Sequence, residues 1–169
     1  MEIVSFVSFK GGAGKTTALE MLCSALLARS KPVALIESDE NAPLGQWREN
    51  ARREETWDEA CKIYPGGSPQ LLLESIVAAE TAGNDYLLID TQGGGSELNN
   101  AAIVNSSLVI VPTAITAAEW DDSIHRWRVS TSRGDQLVAI VLGAQPGAPG
   151  ALLPAQLQRQ QLARPLLQA

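Results

Sequence analysis

Histidine, cysteine and aromatic side chains are scarce in this chain. Its 169 residues include one histidine, two cysteines and 5% aromatics, tryptophan the commonest among them. His125 has no partner pattern and is assigned no catalytic role. Cys23 and Cys61 are too few and too irregularly placed for a disulfide framework or a metal site, so they read as reduced thiols. No apolar run is long enough to cross a bilayer. The first residues, "MEIVSFVSF", carry an acid at position two and no basic region, which does not read as a secretory signal. A cytoplasmic protein is expected. Positive charge is also short: the formal net charge is −6. Residues 1–125 hold 8 basic and 18 acidic groups, whereas residues 126–169 hold 5 basic groups and a single acid, Asp135. Such a chain does not bind nucleic acid through its overall field. Any DNA contact needs a local patch, for which Arg126, Arg128 and Arg133 are the candidates; a solvated surface is the alternative.

What is present suits one α/β domain. Apolar residues make up 45% and charged residues 19%, an ordinary globular balance. Five short apolar runs read as strands: 3–9, 31–37, 86–90, 107–113 and 136–142. They are continuous rather than alternating, which predicts burial on both faces, as in a parallel sheet. Leu19, Leu22, Cys23, Leu26 and Leu27 form a helical stripe after the first run. Pro69 and Gly83 bracket another helix. A further helix is expected near 44–55, followed by a short element before Pro65, with Trp47 and Trp57 either buried or forming a docking surface. Trp120, Ile124 and Trp127 share a face of a helix over 117–131. The expected architecture is a doubly wound, mainly parallel sheet with helices on both faces. It spans residues 1–143, and 144–169 form a Pro/Gly/Gln/Leu-rich tail with a short helix from Pro154.

The stretch "SFKGGAGKTT" sits between the first strand and the first helix, where a phosphate-binding loop belongs. Gly11, Gly12 and Gly14 let successive N–H groups turn toward anionic oxygens, with Ala13 inside the same turn. The helix that follows points its positive end at that spot. Lys15 is placed to reach β- and γ-phosphates, Thr16 to complete a Mg²⁺ shell and Thr17 to bond the α-phosphate. The strict loop pattern wants glycine where Phe9 stands, and it has no use for a second lysine at position 10.

"KGGAGKT" resembles the deviant Walker A loop of the ParA/MinD family of ATPases. The resemblance implies a P-loop NTPase fold, ATP and Mg²⁺ as cofactors, and a homodimer with ATP sandwiched between subunits. Lys10 would then reach the partner subunit's phosphates; a plain surface lysine is the alternative. It also implies a Walker B carboxylate at Asp90, closing "LLID", and a first-switch aspartate at Asp39 in "IESDENAPL". The family usually has aspartate where Glu37 stands. "DTQGGGSELNN" matches the second switch, with Gly93 as the candidate sensor of the γ-phosphate. Within the family, "SFKGGAGKTTAL", "SDENAPLGQWRENA", "TWDEACKIY", "GGGSELNN" and "VIVPT" are similar to VirC-type proteins of conjugative DNA transfer, as far as about residue 128.

The resemblance implies an ATP-dependent dimerisation switch with slow hydrolysis, acting in plasmid partition or in assembly of a conjugative transfer complex. Lys10, Lys15 and Asp39 would be its catalytic residues, and a protein of that machinery its partner. A nucleotide-binding adaptor without productive hydrolysis is the alternative. The chain departs from the family after its fifth strand, where "IVLGAQP" lacks the asparagine that commonly reads adenine. ATP selectivity therefore comes from the resemblance alone, and a truncated or naturally reduced member is expected.

Overall fold

All five continuous apolar runs become strands of a single parallel sheet. In the computed structural model of the chain, residues 1–8, 10–114 and 137–143 are described, with backbone alone for 113, 114 and 137–143. In chain order the elements are β1 (Glu2–Phe6), α1 (Lys15–Leu27), β2 (Val33–Glu37), α2 (Pro43–Arg53), β3 (Lys62–Pro65), α3 (Pro69–Thr81), β4 (Tyr86–Asp90), α4 (Glu97–Asn105), β5 (Leu108–Ala114) and β6 (Leu137–Gly143). The sheet order is β3-β2-β4-β1-β5-β6, and every neighbouring pair runs parallel. The doubly wound expectation holds.

Successive strand residues point to opposite faces, and both faces are covered. Val4, Phe6, Val33, Leu35 and Leu88 pack with Leu19 and Cys23 of α1 and Leu44 of α2. Their sequence neighbours Ala34, Ile36, Leu87 and Ile89 pack with Leu72 and Ala79 of α3 and Ala102 of α4. This two-sided burial is why no strand alternates between apolar and polar. At roughly 25 cal/mol per Å², burying one leucine or isoleucine side chain contributes about 2 kcal/mol before entropy is counted.

Helix starts follow local chemistry. The Ser68 hydroxyl accepts from the Leu71 amide and Pro69 begins α3, so an orphan donor is satisfied and a residue without N–H stands where none is needed. Ser96 does the same for α4 through the Asn99 amide.

Three sequence expectations change. The short element before Pro65 is a sixth strand, β3, at the sheet edge; four residues ending in a proline suit only an edge, because proline cannot donate to a further strand. The first strand ends at Phe6 rather than residue 9, since the chain must turn there to form the glycine loop. Helix α4 forms directly behind the glycine run, in a stretch the sequence marked only as a second-switch segment. Trp47 and Trp57 meet edge to face with ring centroids 5.2 Å apart, packed against the α1 side of the core. They are joined to each other rather than presented as a free docking surface. Cys23 and Cys61 are both buried and free, with sulfurs 4.0 Å apart. Contact with Cys23 and burial push the Cys61 thiol well up, which keeps it neutral. The helix expected over 117–131, with Arg126, Arg128 and Arg133, and the tail from residue 144 lie outside the described residues.

Gly66 closes β3 beside β2. Its amide donates to the Glu37 carbonyl at 2.8 Å, and a Cβ there would stand 2.5 Å from both Ile36 Cγ2 and Ser38 Oγ. Gly66→Ala should therefore destabilise the fold by about 1–3 kcal/mol, as overpacking does. Urea denaturation checks this, and an unchanged midpoint would show that the edge strand yields freely.

Candidate functional site

β1 and β4 are adjacent, with Phe6 opposite Asp90 in register. The helices that follow them leave toward opposite faces, α1 onto one and α4 onto the other. A crevice therefore opens beyond the carboxyl ends of these two strands, where open parallel sheets hold their ligands. The loops 7–14 and 91–96 line it.

The first loop turns on Gly12 (φ +74°) and Gly14 (φ +84°), a left-handed conformation that favours glycine. Gly14 is the N-cap of α1 and supplies no side-chain acceptor. The first N–H groups of the helix thus keep their hydrogen-bonding capacity for an anion. Gly11, Gly12 and Gly14 are exposed and Ala13 half-buried.

Lys15 is buried, and its Nζ donates to Ser8 Oγ at 3.2 Å. The Thr16 hydroxyl donates to Asp90 Oδ2 at 2.7 Å. Asp90 is fully buried, and its second oxygen, Oδ1, has no hydrogen-bond partner. Burial raises the Asp90 carboxyl above the ordinary 3.8, opposed by the Thr16 hydrogen bond and the Lys15 charge, with Asp39 adding to the rise.

Asp39 lies just past β2, and its Oδ1 accepts from both the backbone and side-chain nitrogens of Asn41, each at 2.9 Å. It is thus held in its own turn, close enough to act on Asp90 by charge but not bonded to it. Glu37 accepts from the Gly45 amide at 2.8 Å through Oε2, tying the end of β2 to the start of α2. Its other oxygen is buried without a partner. Burial raises the Glu37 carboxyl, with smaller upward pushes from Asp90 and Asp39 and downward ones from the Gly45 and Leu44 amides. Burial and then Asp90 raise Glu20 of α1 in the same way.

Gly93 stands against the first loop: a Cβ there would meet Gly11 N at 3.0 Å and the Lys10 carbonyl carbon at 3.1 Å. Lys10 and Thr17 are exposed at the loop surface. The fold thus gathers Lys15, Thr16, Asp90 and Gly93 at one place, with Asp39 at its rim.

Sequence reading missed Ser8, Thr91 and Asn99. Ser8 Oγ accepts from Lys15 and donates to the Lys10 carbonyl at 2.7 Å. Thr91 Oγ1 donates to the Phe6 carbonyl at 2.7 Å, clipping the two loops together below the crevice. Ser8 shares the apolar run 3–9 with a second serine, Ser5, so nothing along the run singled it out.

The residues fit a hard divalent cation such as Mg²⁺. A threonine hydroxyl stands beside a buried carboxylate with one oxygen unspent, and oxygen donors are what Mg²⁺ takes. No cluster of three or more His, Cys, Asp or Glu able to hold a metal occurs among the described residues.

The family model described as VirC1 protein matches residues 1–165. The chain is 48% identical over 128 residues to the virC1 protein of Rhizobium radiobacter, covering 76% of this chain and 55% of that protein. It thus spans about half the length of the curated relatives it matches. Its fold is similar to that of the MinD cell division protein of Aquifex aeolicus (TM-score 0.65, 19% identity, 84% of this chain and 69% of that one). It is also similar to pNOB8 ParA bound to nonspecific DNA (TM-score 0.56, 21% identity, 71% and 56%). The architecture is that of a P-loop NTPase.

Glu20, Glu37 and Asp90 all hold their protons to higher pH in the folded chain than in the unfolded one. Their contribution to stability is complete below about pH 4 and is lost as pH rises through the folded values. In buffer free of nucleotide and divalent metal, Asp90→Asn should lose stability less steeply than wild type from pH 4 upward. Urea midpoints across a pH series measure this; parallel curves would remove the electrostatic role given to Asp90.

Proposed function

The chain belongs to the VirC1 family, and on that premise we propose that it is an ATP-dependent dimerisation switch with slow Mg²⁺-dependent hydrolysis, serving plasmid partition or conjugative DNA transfer. The carrying observation is the pairing of Thr16 with Asp90 beside Lys15, at the mouth of an α1 N-terminus left without a side-chain cap.

In this reading the amides of residues 11–16 and the start of α1 hold the phosphates. Lys15 leaves Ser8 and turns to the β- and γ-phosphate oxygens. Thr16 and Asp90 hold Mg²⁺, which supplies charge neutralisation on those phosphates. Asp39, released from Asn41, orients the attacking water. Lys10, exposed and free to extend, bridges to the phosphates bound by a second copy. Gly93, close against the Lys10–Gly11 peptide, is the proposed sensor of the γ-phosphate.

Slow turnover is expected because the described site offers no general base beyond its carboxylates, and Asp39 gives one oxygen, Oδ1, to Asn41. That engagement also favours a second reading, a nucleotide-binding adaptor that does not hydrolyse. A cytoplasmic location and a transfer or partition protein as partner follow from the family. The DNA-bound ParA relative supports nucleic acid as the surface on which the dimer acts. Among the described residues no helix is long and apolar enough to cross a membrane.

Light scattering with ADP and with ATP, paired with phosphate release with and without DNA, tests this. Lys15→Ala should weaken nucleotide binding about 10- to 100-fold, the loss of charge-assisted hydrogen bonds to phosphate. Lys10→Ala should keep nucleotide affinity within about threefold and lose the ATP-dependent dimer. Tight binding without turnover selects the adaptor, and a Lys10→Ala chain that still dimerises on ATP refutes the bridging role.

A further inference from the structure

The segment 92–96 has few side chains to fix it, since three of its five residues are glycine. What fixes it comes from α4. Asn99 is 2% exposed, and its Nδ2 donates to the Gln92 carbonyl at 2.9 Å and to the Gly94 carbonyl at 2.5 Å. Its backbone amide meanwhile caps α4 through Ser96 Oγ at 3.1 Å. One side-chain nitrogen with two donors facing two carbonyls is something only an amide provides at this volume. Aspartate has the shape but no donors, and leucine has the volume but no polarity.

The segment so held presses on the first loop. The Gly94 amide donates to the Ser8 carbonyl at 3.0 Å, and a Cβ on Gly93 would crowd the Lys10–Gly11 peptide at 3.0–3.3 Å. Ser8 in turn donates through Oγ to the Lys10 carbonyl and accepts from Lys15. A continuous path of contacts thus runs from Asn99 through the glycine segment and Ser8 to the peptide that carries Lys10.

We infer that Asn99 is a positioning residue, a latch whose buried amide pins the second glycine segment onto the Lys10–Gly11 peptide and so couples Lys10 to the state of that segment. Its own Oδ1 is buried without a partner, an uncompensated acceptor that weakens the latched arrangement. The latch therefore holds the segment without locking it, as a part that must move requires. Its consequence for dimerisation rests on the switch reading above, whereas the latch itself stands on these contacts.

Amide hydrogen exchange of the nucleotide-free full chain tests it, comparing wild type with Asn99→Asp and, should that variant fail to fold, Asn99→Leu. Exchange in residues 91–96 and 8–12 should rise about tenfold in the variant, with α1 and the central strands unchanged. Nucleotide affinity should stay within about threefold, while the ATP-dependent dimer fraction changes. Unchanged exchange in 91–96 overturns the latch. Faster exchange there with none at 8–12 overturns the coupling, and uniform acceleration over the whole chain reduces Asn99 to a packing residue. Should wild type form no ATP-dependent dimer, the switch reading falls, and the exchange result still decides the latch.

Discussion

The parallel pairing of β1 with β4 is the constraint on which the site depends. It sets Phe6 beside Asp90, so the loops after two strands 80 and more residues apart in sequence emerge side by side. Thr16, one residue into α1, can then reach Asp90. Thr91 reaches back to Phe6 and closes the same junction from below. Two apolar layers hold the pairing, since Leu88 faces α1 while Leu87 and Ile89 face α3 and α4. A register slip by one residue would exchange these faces and carry the Asp90 carboxylate into the wrong layer.

Around that junction the molecule concentrates negative charge that it does not neutralise. Asp90 and Glu37 each keep a buried oxygen without a partner, and burial raises both carboxyls together with Glu20. Lys15 offsets part of this from the first loop. On the proposed reading, an arrangement costly in the empty protein would become favourable when a cation enters, and the same groups that burden the fold would create affinity for a metal–phosphate ligand. Asp39 stays at the rim, engaged by Asn41. The chemistry that would recruit it is therefore separated from the groups that bind.

The two mobile-looking features of the sequence, the lysine–glycine loop and the triple glycine, are in contact rather than independent. Both are rich in glycine and carry few side chains that could define their shape. Gly12 and Gly14 supply left-handed turns for the first, while Asn99 supplies hydrogen bonds for the second. Ser8 joins them. Trp47, Trp57 and the two cysteines lie on the α1 side of the sheet and belong to the packing that keeps α1 and α2 in place.

Residue order alone determined the parallel α/β layout, the glycine loop between the first strand and helix with Lys15 and Thr16 behind it, and Asp90 as a strand-end carboxylate. These rest on local signals: continuous apolar runs, glycine spacing, and an acid directly after a buried strand. It also marked Lys10 as surplus to a plain loop. The edge strand β3 escaped because four residues ending in proline carry little periodicity, and α4 because glycine masks the serine cap behind it. Only the tertiary structure decided that Asp39 is tied to Asn41, that Glu37 caps α2, and that Ser8, Gly93 and Asn99 form one connection. Those facts depend on contacts between segments brought together by sheet order, and nothing in the spacing of residues along a chain encodes the distance across a crevice.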